Sequence, residues 1–292
     1  MNLIYISYMR IIWHNTWSYP FITSTDHINN TIIHIINVVK KFNPDVIILG
    51  ELFDLQLRNI YKYILLDSLP QYKFIDIGND RSWFGQQSGG LFAIYRTNGI
   101  KLVDARYHIL SNGRLQDRLA AKGVLGMQFL NDNNEYLWIC ACHLQDADAG
   151  FKNFCINNTR LQYTETLNIV KNWCNCENFI LTGDFNISPV ESLDLWLNTY
   201  RPITLLNAGP THIQSNKILD YALTSLNTSD CNINIVKTNN NPSDHETICI
   251  TYDSYNITPP VEVLTIIKVK DNLLIYIFII LWLVTMGNYC IV

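Results

Sequence analysis

Residues 180–189 read Ile-Leu-Thr-Gly-Asp-Phe-Asn-Ile-Ser-Pro, and residues 242–248 read Pro-Ser-Asp-His-Glu-Thr-Ile. In the first stretch an apolar strand ends in Asp184 and Asn186; about sixty residues later the second delivers Asp244 and His245. Oxygen donors of this kind suit a hard divalent cation, and an imidazole beside them can take a proton from water. Either half alone is a weak signal. Both together, in this order and spacing, predict strand ends that meet in one polar site.

The same address recurs along the chain. Asp45–Gly50 is a continuous apolar run, as in a buried strand, and it ends at Glu51. A first strand at Arg10–His14 leads to Asn15, Tyr136–Cys142 leads to His143, and Ile218–Leu223 contains Asp220. Further strands are predicted at Leu91–Tyr95, after the Gln87–Gly90 turn, and at Gly123–Phe129, Phe179–Thr182 and Thr247–Tyr252. Ile32, Ile35, Ile36, Val39 and Phe42 recur at helical spacing over Asn29–Phe42, with Asn30 or Thr31 placed as its cap and Asn43-Pro44 as its stop. Leu161, Leu167, Val170 and Trp173 mark a second helix over Thr159–Trp173. Helices alternate with strands, yet Gly123–Phe129 and Tyr136–Cys142 read as a hairpin around Asn131–Asn134. That combination predicts an α/β (α+β) architecture of mixed sheets covered by helices, in which polar residues past strand ends collect in one crevice. Glu51, His143, Asp184, Asn186, Asp220, Asp244 and His245 all hold that position.

Bulk composition narrows the options. The 292 residues, 48% of them apolar, suffice for one large domain or two small ones. A net charge of −4 and no basic run argue against a protein that holds nucleic acid chiefly by its phosphates. A local basic groove stays compatible with these numbers. A chain this long needs no disulfide framework, so its eight cysteines, the close pair Cys174 and Cys176 included, are expected to be structural thiols. Cys140 and Cys142 would share one strand face as small hydrophobes.

The two ends differ. Residues 1–10 lack a basic region and are expected to run into the first strand rather than to act as a secretion signal. Residues 273–292 carry no formal charge, and a helix of that length, at about 1.5 Å per residue, matches a bilayer core of about 30 Å. Lys268 and Lys270 precede it, which favours a cytosolic body. The expected layout is a catalytic body over 1–252, a linker over 253–272 containing Pro259-Pro260, and a single-pass transmembrane anchor over 273–292.

These pieces, in this order, resemble the endonuclease/exonuclease/phosphatase superfamily, which includes DNase-I-like enzymes and neutral sphingomyelinases. Arg10-Ile-Ile-Trp-His-Asn15, Gly50-Glu51-Leu-Phe-Asp54, Gly183-Asp184-Phe-Asn186, Leu219-Asp220-Tyr221 and Ser243-Asp244-His245 carry the likeness, over about residues 9–252. The resemblance implies a four-layer sandwich of two mixed β-sheets flanked by helices. Three details look like the sphingomyelinase branch: Phe53 directly before Asp54, His143-Leu-Gln145 at a strand end, and the loop from Asp117 to Lys122.

By that resemblance, Glu51, Asn15 and Asp244 would hold Mg²⁺, or Mn²⁺ in its place, and His245 oriented by Asp220 would be the base. Asp184 would orient the nucleophile, Asn186 and His143 would stabilise phosphoryl charge, and Asp117 and Lys122 would order a substrate loop. His14, His27, His34, His108 and His212 are expected to be structural. The expected reaction releases phosphocholine from sphingomyelin and leaves ceramide in the bilayer, with no nucleic-acid partner. One departure weakens the choice of substrate: Ala222–Pro242 has no aromatic residue where secreted sphingomyelinases carry a membrane-touching insertion. The alternatives are a relative acting on another phospholipid or on nucleic acid, and an inactive membrane-anchored interaction protein.

Overall fold

The computed structural model describes residues 8–18, 23–53, 55–75, 90–111, 122–131, 134–146, 152–175, 177–197, 203–227, 229–238 and 241–253. Its architecture follows from strands that are apolar on both faces. In β1 (Tyr8–Asn15) and β2 (Val46–Gly50), Ile12, Ile47 and Leu49 pack in one core with residues of α1 (Thr25–Phe42) and α2 (Leu55–Ser68). Ile11, Trp13 and Ile48 point the other way by the two-residue period, and all three are buried as well. A strand buried on both faces needs cover on both sides, which explains the continuous apolar runs.

Two six-stranded sheets result. The first has the order β11 (Cys231–Val236), β12 (Thr247–Asp253), β1, β2, β4 (Phe92–Arg96), β3 (Tyr72–Phe74). The second runs β5 (Ile100–Ile109), β6 (Gly123–Asn131), β7 (Tyr136–His143), β8 (Asn178–Asp184), β10 (Asp220–Thr224), β9 (Thr204–Leu206). In each sheet only the central pair is parallel, β1 with β2 and β7 with β8; every other neighbour is antiparallel. Helices make the two parallel crossovers, α1 in the first sheet and α3 (Lys152–Cys174) in the second. Val124, Trp138, Cys140, Cys142 and Leu181 share the second core with Tyr163, Leu167 and Val170 of α3 and Trp196 of α4 (Leu193–Leu197). Helices flank both mixed sheets, as the resemblance implies.

Element ends show where local signals misled. The first helix starts at Thr25, and its cap is Ser24, whose hydroxyl accepts from the His27 N–H; neither Asn30 nor Thr31 caps it. Thr31 lies inside the helix and gives its hydroxyl to the His27 carbonyl. The stop falls where expected: Asn43 takes φ 45° and closes on the Val39 carbonyl before Pro44. The six described cysteines, Cys140, Cys142, Cys155, Cys174, Cys231 and Cys249, are free and buried. Among the described residues no helix is long and apolar enough to cross a membrane. The expected linker beyond Asp253 and the expected anchor at 273–292 lie outside the described residues.

Candidate active site

Parallel register determines where the polar residues fall. Asn15 lies level with Gly50 across β1 and β2, and His143 lies level with Asp184 across β7 and β8. Glu51 follows β2 directly. β10 starts at Asp220 opposite Asp184, and β12 starts two residues after His245. Both sheets therefore deliver their polar strand ends to the same end of the sandwich. Glu51 and Asn186 have φ of 61° and 52°, so the chain turns sharply just where the side chains enter the site. Gly183 supplies the other unusual backbone: at φ 148°, a Cβ there would lie 2.0 Å from the Cys142 carbonyl oxygen.

Two linked groups make the site. In the first, His245 Nδ1 lies 2.7 Å from Asp220 Oδ2, while the Trp13 indole donates to Asp220 Oδ1 at 2.7 Å. Asp220 is fully buried, and both carboxylate oxygens are occupied. In the second, Lys122 Nζ is 2.7 Å from His143 Nε2, and that nitrogen is 3.5 Å from Glu51 Oε1 and 3.8 Å from Asp184 Oδ2. Asn15 donates its amide N–H to Asp184 Oδ2 at 3.2 Å and accepts the Trp17 N–H on its oxygen. Asp184 joins the halves, with its Oδ2 3.8 Å from His245 Nε2. Asn186 donates its backbone N–H to Asp184 Oδ1 and its side-chain amide to the Leu144 carbonyl. Asp244 adds a further carboxylate, its Oδ1 3.9 Å from His245 Nε2.

The site is short of positive charge. Burial pushes the Glu51 carboxyl up, against the pull of Lys122, and pushes Asp184 up to about 7, against the pull of His245. Burial pulls His245 down, but Asp220 and Asp184 outweigh it, and the imidazole is pushed up to about 11. An imidazole held that high cannot act as a base near neutral pH until its carboxylate neighbours are neutralised. Asp244 Oδ1 is moreover shut off from solvent with no hydrogen-bond partner among the described residues. Crowded buried carboxylates and an orphaned carboxylate oxygen fit a hard divalent cation, and Glu51, His143 and Asp184, like His212, Asp244 and His245, bring their donor atoms within 4.8 Å of one another.

The structure brings Asn15, Glu51, Lys122, His143, Asp184, Asn186, Asp220, Asp244 and His245 together. Asp117 and Asp54 lie outside the described residues. Two site residues were missed. Trp13 looks in the sequence like part of an apolar strand, yet its buried indole N–H needs an acceptor and Asp220 is the one it finds. His212, expected to be structural, has its ring edge-on to His245 with centroids 5.0 Å apart, and its Nε2 is 3.7 Å from Asp244 Oδ2. Nothing local could reveal this, because an isolated bridge between His212 and His245 brings the two together across a gap of over thirty residues.

No family model matches the sequence, and no curated protein matches it. Solved structures do match in fold. Sphingomyelinase C from Streptomyces griseocarneus is 16% identical, with a TM-score of 0.63 over 85% of this chain and 100% of that one. D. rerio TDP2 complexed with a single-strand DNA product is 15% identical, with a TM-score of 0.61 over 85% and 100%. A mannosyl-6-phosphatase from Bacteroides thetaiotaomicron is 16% identical, with a TM-score of 0.62 over 83% and 98%. The three are named for a lipid, a DNA and a sugar phosphate activity, so the likeness bears on the fold and not on the substrate. The chain shares its fold with these proteins and with an endonuclease/exonuclease/phosphatase family protein from Bacteroides thetaiotaomicron, 16% identical with a TM-score of 0.62 over 84% of this chain and 97% of that one, and it carries a cluster of acids and imidazoles at its strand ends that fits a divalent cation.

Proposed function

We propose that this chain is a Mg²⁺-dependent phosphodiesterase that hydrolyses sphingomyelin to ceramide and phosphocholine at a membrane. The observation that carries the hydrolase is the His245–Asp220 pair beside the Glu51–Asp184 cluster. Sphingomyelin is favoured by Phe53 before Asp54, by His143-Leu-Gln145, and by an uncharged stretch at 273–292 suited to tethering the body to its lipid. A body on the cytosolic side of that anchor follows from Lys268 and Lys270.

Each residue then has a physical task. Asp220 accepts the Nδ1–H of His245 and leaves Nε2 free to take a proton from water. That nitrogen lies beside Asp184 and Asp244, at 3.8 and 3.9 Å, so a water donating to Nε2 would also be within reach of a carboxylate. Asp184 orients this water, whose oxygen bonds to phosphorus as the bond to the ceramide oxygen breaks. Lys122 and Asn186 supply donors for the phosphoryl oxygens, and His143, whose Nε2 accepts from the Lys122 ammonium, holds that charge beside them. Glu51 and Asp244, with Asn15 turned to present its oxygen, would hold Mg²⁺. When bound, the ion supplies charge that polarises the phosphodiester and stabilises the leaving oxygen. Lys122 comes from the expected substrate loop, and its ammonium sits 5.3 Å over the Phe53 ring.

The test is substrate choice. Full-length protein in detergent micelles is given sphingomyelin, phosphatidylcholine, plasmid DNA and a sugar phosphate, all with Mg²⁺. Phosphocholine released from sphingomyelin well above the rest supports the proposal. Preferential nicking of DNA overturns the lipid assignment, and inertness toward all four favours a binding protein that kept the fold.

A further inference from the structure

Thr211–Lys217 forms a clamp over the segment that carries the base. Glu246 N–H donates to the Thr211 carbonyl at 2.7 Å, and Ile213 N–H donates to the Asp244 carbonyl at 2.8 Å. The Thr211 hydroxyl in turn accepts the backbone N–H groups of Leu219 and Asp220. The backbones of His212, Asp244 and His245 are thus held in register with one another and with Asp220.

Within this clamp the His212 ring has only one arrangement of its proton. The Ser215 backbone N–H points to His212 Nδ1 at 3.1 Å, and the Ser215 hydroxyl lies 2.7 Å from the same nitrogen. A backbone N–H can only donate, so Nδ1 uses its lone pair and carries no proton when the ring is neutral. The proton sits on Nε2, the nitrogen that faces Asp244 Oδ2 at 3.7 Å. With Oδ2 turned toward His212, the other oxygen, Oδ1, is directed inward, where it is buried with no hydrogen-bond partner among the described residues. Any ring of this size would fill the space, but a space-filler needs neither a fixed tautomer nor a serine to impose it.

We infer that His212 is a positioning residue for the Asp244 carboxylate: it presents Nε2–H to Oδ2 so that Oδ1 points at the bound cation, and Ser215 locks its tautomer. This rests on the proposal that the cluster holds a divalent cation. The 3.7 Å separation is longer than a hydrogen bond, and it closes by a small side-chain rotation once Oδ1 has a metal partner. Removing such an outer partner typically costs about 10- to 100-fold in metal affinity.

The test measures binding of Mn²⁺ by the full-length protein, by titration calorimetry and by the resonance signal of the free ion, without substrate. His212→Phe should weaken Mn²⁺ binding by about 10- to 100-fold, while His212→Gln, whose amide keeps an N–H near the Nε2 position, should stay within about threefold of the parent. His212→Asn, whose amide oxygen can still accept the Ser215 backbone N–H at the Nδ1 position but which leaves no N–H at the Nε2 position, should weaken binding as His212→Phe does, even if the Phe variant does not fold. Parental affinity in both His212→Phe and His212→Asn, or equal weakening in the Phe and Gln variants, overturns the inference and leaves the cation site standing. Absence of Mn²⁺ binding by the parent, or parental affinity in Glu51→Gln, overturns the cation site and the role of His212 with it.

Discussion

Asp220→Asn is a substitution whose outcome the local geometry dictates. Asp220 is fully buried between two fixed neighbours, the Trp13 indole on Oδ1 and His245 Nδ1 on Oδ2, both at 2.7 Å. The indole N–H only donates, so the new amide must turn its oxygen to Trp13 and its NH₂ to His245. His245 then has to accept on Nδ1, and its proton moves to Nε2, the nitrogen needed as the base. The fold should survive, because the replacement has the same shape and both hydrogen bonds remain satisfied. Loss of the correct tautomer should lower kcat by about 10³- to 10⁴-fold, or about 4–5.5 kcal/mol in barrier. The assay is initial-rate hydrolysis in saturating Mg²⁺, alongside the melting temperature. A second substitution sharpens it: in Trp13→Phe/Asp220→Asn the amide is free to flip and accept from Nδ1–H, so the double variant should be more active than Asp220→Asn alone. A loss below tenfold in Asp220→Asn, or no recovery in the double variant, would refute the orienting role of Asp220.

Three further outcomes are expected, two from local geometry and one from the uncharged stretch at 273–292. Gly183→Ala places a Cβ 2.0 Å from the Cys142 carbonyl oxygen at φ 148°, so urea unfolding should show a loss of about 2–4 kcal/mol; an unchanged midpoint contradicts the close approach of β7 and β8. Burial holds His34 down at about 4, below its unfolded value of about 6.5, where its ring sits between the hydroxyls of Thr238 and Thr247. The fold therefore keeps this contribution above pH 6.5 and loses it as pH falls toward 4, by roughly 2–3 kcal/mol. The difference in urea midpoint between the parent and His34→Gln should shrink over that window; a constant difference contradicts a buried neutral ring. Removing residues 273–292 should shift the protein from the carbonate-resistant membrane pellet to the supernatant, and an unchanged distribution contradicts the anchor.

The legible parts of the sequence were those with strong local chemistry. Continuous apolar runs marked β2, β7 and β8, and the residues past their ends marked the site, since strand ends in a mixed sheet open on one crevice. Elements without such a signal went unread. β11 reads Cys-Asn-Ile-Asn-Ile-Val and is half exposed at a sheet edge, so its alternation merges with the surrounding Asn-rich sequence. β3 and β9 have three residues each, too few for any period to show. α2 carries Tyr61 and Leu65 buried on one side and Tyr63 exposed on the other, a weakly amphipathic stretch whose helix depends on packing against the first sheet. Trp13 and His212 were invisible as site residues because their partners, Asp220 and Asp244, reach them only through tertiary pairing. The first helix starts before Asn30 and Thr31, with Ser24 as its cap, because its N-terminal turn buries Ile28 in the first core, a contact no local spacing reveals.

The central claim is that these strand-end residues form a divalent-metal site that hydrolyses phosphodiesters with His245 as base. It is tested most directly by one rate measurement, on whichever of the four substrates above is turned over fastest. Hydrolysis by the full-length protein is followed in Mg²⁺, in EDTA, and in EDTA with excess Mg²⁺ restored, beside His245→Ala. Activity should be abolished by EDTA, recovered with Mg²⁺, and reduced by at least about 10²- to 10⁴-fold in His245→Ala. Turnover that resists EDTA, turnover that survives loss of His245, or none with any of the four substrates would contradict it.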